Sequence, residues 1–119
     1  MSNFDSELKN AFQQLQLKVA VTTQQVKLAE AQIAQISRNI THARLTDQEL
    51  SLLPAETKTY QSVGRMFILE PIDYVRLNLK TKIEEGELKI KAIEQTKERL
   101  QKNVKDQEDS IREMLSARH

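Results

Sequence analysis

Apolar residues in the first third of the chain recur in alternating steps of four and three. They are Leu8, Phe12, Leu15, Val19, Thr22, Val26, Ala29, Ile33, Ile36 and Ile40, with Thr22 the one polar member. A repeat averaging about 3.5 residues makes a narrow seam, which stays turned toward a partner helix only through left-handed supercoiling. The positions between are mostly Gln, Lys, Glu, Ser and Arg, with a few aliphatics off the seam such as Leu17, Val21 and Leu28. Ser2 followed by Asp5 is a candidate N-cap with its reciprocal acid. The pattern predicts a helix over about 4–44, ending at Leu45.

The same spacing returns at Ile72 and continues through Arg76, Leu79, Ile83, Gly86, Ile90, Ile93, Lys97, Leu100, Val104, Gln107, Ile111 and Met114. This second seam is less pure. Gly86 lacks a side chain and weakens a helix by about 1 kcal/mol relative to alanine. Polar groups at seam positions, such as Lys97 and Gln107, fix register at some loss of stability. Pro71 suits the first helical position, where its missing N–H has no partner to lose. Arg112, Arg118 and His119 place cations near the negative end of this helix, expected over about 71–117.

Between the seams the period changes. Thr46-Asp47-Gln48-Glu49 reads as a capping box opening a short helix through Leu50, Leu52 and Leu53, which Pro54 stops; a connector then runs to about 58. Tyr60 to Leu69 is the one segment that reads as β-structure, a hairpin over about 59–69 turning at Gly64-Arg65, where glycine supplies the positive φ of a tight turn. Met66 and Ile68 point to one face and Phe67 and Leu69 to the other, so both faces are apolar. A lone two-stranded hairpin is marginal in water and has two open edges. Strands from other chains are the expected cover; the bland alternative is a small cap folded onto its own helices.

Composition agrees with long helices. Aromatic residues make up only 4% of 119, and Gly and Pro number two each, too few turn formers for a chain that folds back repeatedly. The two seams, similar in length and joined by a segment that doubles back, are most simply paired as an antiparallel coiled coil. Its far end, at Phe4, Leu8, Met114 and Leu115, then lacks a covering element, and those side chains are expected to be partly accessible.

Charge and chemistry change this picture little. Eighteen basic residues face seventeen acidic ones, for a net charge of +1. That balance gives no electrostatic case for nucleic acid or an anionic membrane. Lys89, Lys91, Lys97, Arg99, Lys102 and Lys105 alternate with Glu94, Glu98, Asp106 and Glu108, as on an ordinary charged helix surface, although slim coiled-coil arms of this type do bind RNA elsewhere. Cysteine is absent, which fits a reducing compartment. No signal peptide or membrane-spanning run is visible. His42 and His119 stand apart, Glu84, Glu85 and Glu87 lie among lysines, and Gly64 and Gly86 are isolated. No catalytic site, metal cluster or phosphate loop is therefore expected.

Four stretches carry a resemblance: Val26-Lys27-Leu28-Ala29, His42-Ala43-Arg44-Leu45-Thr46-Asp47, Val63-Gly64-Arg65-Met66-Phe67-Ile68-Leu69 and Ile111-Arg112-Glu113-Met114-Leu115. Together they resemble a β-class prefoldin subunit over nearly the whole chain. Heptads are common to all coiled coils; the Val63–Leu69 run and the single hairpin are the specific features, since α-class subunits carry two. The resemblance implies a fold dominated by α-helix, a long antiparallel two-helix coiled coil with one central β-hairpin forming a single domain. It implies a cytoplasmic, ATP-independent chaperone without a cofactor, built from two α-class and four β-class subunits. Hairpins would join in a β-barrel body, and the coiled coils would project from it. Their tips would hold non-native actin and tubulin for delivery to the cytosolic chaperonin. On this sequence the resemblance assigns Val63, Gly64, Arg65, Met66, Phe67, Ile68 and Leu69 to assembly. Phe4, Leu8, Phe12, Ile111, Met114 and Leu115 become the candidates for the client-facing tip. A structural tether whose coiled coil pairs with one long, unrelated protein is the alternative.

Overall fold

Two heptad seams and one β-prone segment give four elements. In the computed structural model, which describes residues Asn3–Arg118, their order is α1 (Asn3–Ser51), β1 (Thr59–Val63), β2 (Met66–Glu70) and α2 (Ile72–Arg118). The proposed N-cap Ser2 and the terminal cation His119 lie outside the described residues. The chain divides into two compact units. One joins the residues up to Gln32 with those from Ala92 onward; the other spans Ile33–Lys91.

In the first unit α1 and α2 run antiparallel. Val19, Thr22 and Val26 lie beside Gln101 and Val104, while Ala29 further along α1 lies beside Ile93 and Leu100. Thr22 is buried at its seam position, as is Ala29. Lys97 is half-buried in its seam and its Nζ lies 3.6 Å from Glu94 Oε2, one turn back. Among the first-unit seam positions of α1, only Phe12 and Val19 are exposed; beside Phe12, the smaller Ala11 is the better covered residue.

In the second unit Ile36, Ile40 and Ala43 of α1 face Leu79 and Gly86 of α2. Gly86 is buried, and a methyl group there would stand 2.9 Å from Ile40 Cδ1 and Cγ1. Glycine thus admits an isoleucine at close range, which accounts for a residue that otherwise weakens the helix. Arg76 Nε donates to Asp47 Oδ1 at 2.8 Å across the two helices, both groups part-buried. This hydrogen bond is the main reason the Arg76 pKa is raised; burial opposes it, and the charges of Asp47 and Asp73 reinforce it. Arg44 and Glu87 form a second, exposed ion pair.

The expected helix break at Leu45 does not occur. α1 continues to Ser51, and Thr46 serves as an interior residue whose Oγ1 donates to the His42 carbonyl at 2.9 Å. The residues of the anticipated capping box instead prolong the seam, with Ala43 buried and Asp47 and Leu50 half-buried. The helix closes in tighter turns, Leu52 N–H to Glu49 O and Leu53 N–H to Leu50 O, just ahead of Pro54. Pro71 is also displaced by one position. Its carbonyl accepts the first bond of α2, from Val75 N–H at 3.1 Å, so it caps the helix and Ile72 begins it.

Candidate functional surfaces

The β-segment folds as anticipated from alternation. β1 and β2 pair antiparallel in the register Thr59↔Glu70, Tyr60↔Leu69, Gln61↔Ile68, Ser62↔Phe67 and Val63↔Met66. Gly64 has φ of 62° and is the only described residue with positive φ, so the turn places it at the first central position alone. That is the type II′ arrangement, whose twist matches that of paired strands. At the open end Thr59 Oγ1 donates to the Glu70 carbonyl. With its amide nitrogen turned inward, Gln61 donates to both Glu70 carboxylate oxygens at 2.9 Å.

Cross-strand partners share a face. Tyr60, Ser62, Phe67 and Leu69 therefore form one face, and Gln61, Val63, Met66 and Ile68 with Thr59 and Glu70 form the other. The base of the hairpin, at Tyr60, Gln61 and Glu70, borders a cleft against Val75, Asn78 and Leu79 of α2. Beyond it the apolar residues find no cover: Val63, Met66, Phe67, Ile68 and Leu69 are between 43% and 73% exposed. The reading of the hairpin as a cap folded onto its own helices fails on this point. With two strands in the sheet, both outer edges also lack a strand partner among the described residues.

Sequence reasoning missed the company these residues keep. Tyr60 shares the Phe67 face, and Leu52, Leu53, Tyr74 and Leu77, flanking the hairpin in the chain, are exposed as well. Tyr74 and Leu77 stand off the α2 seam of Ile72, Arg76 and Leu79, and that displacement was the available signal.

The six tip candidates all belong to the first unit. Phe4, Leu8, Met114 and Leu115 are half-buried, and Phe12 is 41% exposed. Ile111 departs from expectation. At 5% exposure it is a packed seam residue, placed inward by the same heptad that runs through Val104 and Gln107, and it offers no contact surface. Among the described residues no group of His, Cys, Asp or Glu is arranged to hold a metal ion, and no helix is long and apolar enough to cross a membrane.

Residues 13–118 match the family described as prefoldin subunit. Human prefoldin subunit 1 is 51% identical over 114 residues, spanning 96% of this chain and 93% of that protein. Prefoldin subunit 1 of Arabidopsis thaliana is 32% identical over 111 residues, spanning 93% and 87%. Among solved structures, the prefoldin beta subunit from Thermococcus strain KS-1 superposes with a TM-score of 0.75 at 25% identity, covering 95% of this chain and 96% of that one.

Proposed function

The chain belongs to the prefoldin subunit family, and from that premise we propose that it serves as one β-class member of a six-subunit, ATP-independent holding chaperone of the cytoplasm. The observation that carries the assembly half of this reading is the hairpin, apolar and exposed on both faces and open at both edges. Such a surface is matched by further strands, which complete the sheet and cover its faces together. Val63, Met66, Phe67, Ile68 and Leu69 supply that interface, Gly64 sets its turn, and Arg65 stands at the turn beside it. The partners are two α-class and three further β-class subunits.

For the client half, Phe4, Leu8, Phe12, Met114 and Leu115 form the contact at the helix ends, holding non-native chains such as actin and tubulin before transfer to the cytosolic chaperonin. Partly exposed aliphatic, aromatic and methionine side chains accommodate many sequences because none of them demands a particular fit. Several weak arms acting on one client add through effective concentration. We assign the chain no catalytic reaction and no cofactor.

Native mass spectrometry of the complex isolated with this chain tests the assembly. Six small subunits, with this chain present once, are expected. A dimer, or a complex with one long coiled-coil protein, would instead establish the tether alternative. Trimming residues before Phe12 and after Ile111 is expected to leave the six-subunit complex intact and weaken its retention of unfolded actin; undiminished retention would remove the client role from these helix ends.

A further inference from the structure

The aliphatics of α1 that lie off the seam are not scattered. Leu17, Val21 and Leu28 are spaced by four and seven residues, which at about 100° per residue gathers them within about 40° of one another on the helix. They are between 54% and 69% exposed, more than any other large apolar side chain among the described residues of the first unit. Ala20, Gln24 and Ala31 occupy the neighbouring positions of the same stripe, so it contains no charge over four turns. At Leu28 the stripe meets a shallow groove between α1 and α2 of about 400 Å³. Ala29, Ile93 and Leu100 line this groove, with Ala92 and Thr96 keeping it open and Arg99 as its one charged residue.

We propose that this lateral stripe and groove form a second contact for non-native polypeptide, separate from the helix ends and taking short uncharged apolar segments. The proposal rests on the holding-chaperone reading above and extends it to a new surface. The size and chemistry of the surface select the occupant. A packed partner helix needs an apolar residue every three or four positions sustained over several heptads, whereas here Gln14, Gln24 and Gln35 interrupt the stripe. Stable folded partners bury roughly 1,600 Å² in total, and three aliphatic side chains with a shallow groove fall far short of it. An almost uncharged lining gives an acidic or basic partner nothing to pair with. A loosely held, aliphatic-rich stretch of unfolded chain has none of these requirements.

The test uses the fully assembled complex containing this chain and actin diluted from denaturant. A photo-crosslinking residue replaces Val21 in one preparation and Glu30, on the opposite side of α1, in another. Separately, Leu17→Gln, Val21→Gln and Leu28→Gln are combined, glutamine being a good helix former that removes the apolar surface. Crosslinking of actin from position 21 and not from position 30 is expected. The triple variant should assemble normally and shorten actin retention about tenfold, the loss that partial burial of three aliphatic side chains implies. Equal crosslinking from both positions, or unchanged retention by the triple variant, overturns the proposal while wild-type holding leaves the chaperone reading standing. Failure of the triple variant to assemble also overturns it, by making the stripe a subunit contact. If the wild-type complex retains no actin, the chaperone reading itself fails, and the proposal with it.

Discussion

The α2 seam and the hairpin are built from the same kinds of side chain and meet opposite fates. Every seam position of α2 from Ile72 to Met114 is buried or half-buried, Arg76, Lys97 and Gln107 included. The apolar residues from Val63 to Leu69 are all exposed. The difference is one of topology. A heptad seam is a single narrow stripe, and one antiparallel neighbour covers it. A two-stranded sheet has two faces and two edges, and one adjoining helix reaches only its base, at Tyr60, Gln61 and Glu70. The two seams answer each other's apolar demand, while that of the hairpin stays unmet within its own chain.

The largest effect is expected where that contrast is attacked directly. Phe67→Lys places a charge on the more exposed face of the hairpin and touches no seam residue. It should abolish incorporation into the six-subunit complex, read by native mass, with helical circular dichroism unchanged. Wild-type incorporation would end the assembly claim.

On the seam side, Gly86→Val sharpens the contrast. Its added methyls would overlap Ile40, whose Cδ1 and Cγ1 already lie 2.9 Å from the position of a first side-chain carbon. Overpacking typically exceeds the gain in helix propensity, leaving a net loss of about 2 kcal/mol in the unfolding free energy followed by helical signal. A neutral or stabilising result would mean that the two helices are not held this close.

The smallest effect belongs to Asp47→Asn. Because the Arg76 pKa is raised, the contribution of its charge is complete at every pH below the ordinary arginine range and is lost only as pH rises through the raised value. Arginine titration therefore adds nothing near neutrality, and salt is the useful variable. The substitution should lower the unfolding midpoint slightly, by an amount that shrinks as ionic strength rises. A midpoint difference that grows with salt would contradict an electrostatic role for the pair.

Much of this contrast was legible in the residues themselves. The alternation of threes and fours located both seams, and Gly64 located the turn, because each follows from backbone geometry within a few residues. The exposed apolar surface at Met66–Leu69 was visible for a similar reason: an unbroken apolar run in a hairpin has no inward side large enough to hide it. The sequence misled at Thr46-Asp47-Gln48-Glu49, where local capping chemistry competed with a seam that continued through Ala43, Asp47 and Leu50. The decisive partner, Arg76, is 29 positions away. Phe12 and Ile111 show the same limit. Both fit the heptad, yet Ile111 is packed and Phe12 is exposed with Ala11 taking the inner place. Periodicity gives the face of a helix, and only the facing helix decides how deeply each member of that face is covered.

The most direct test of the central claim is amide hydrogen exchange over Thr59–Glu70, compared between the isolated chain and the complete complex. An exposed hairpin that is covered by neighbouring chains should exchange rapidly alone and become strongly protected on assembly, a larger gain than any stretch of either helix shows. Equal exchange in both states would mean that the hairpin is complete within its own chain, and would contradict the account.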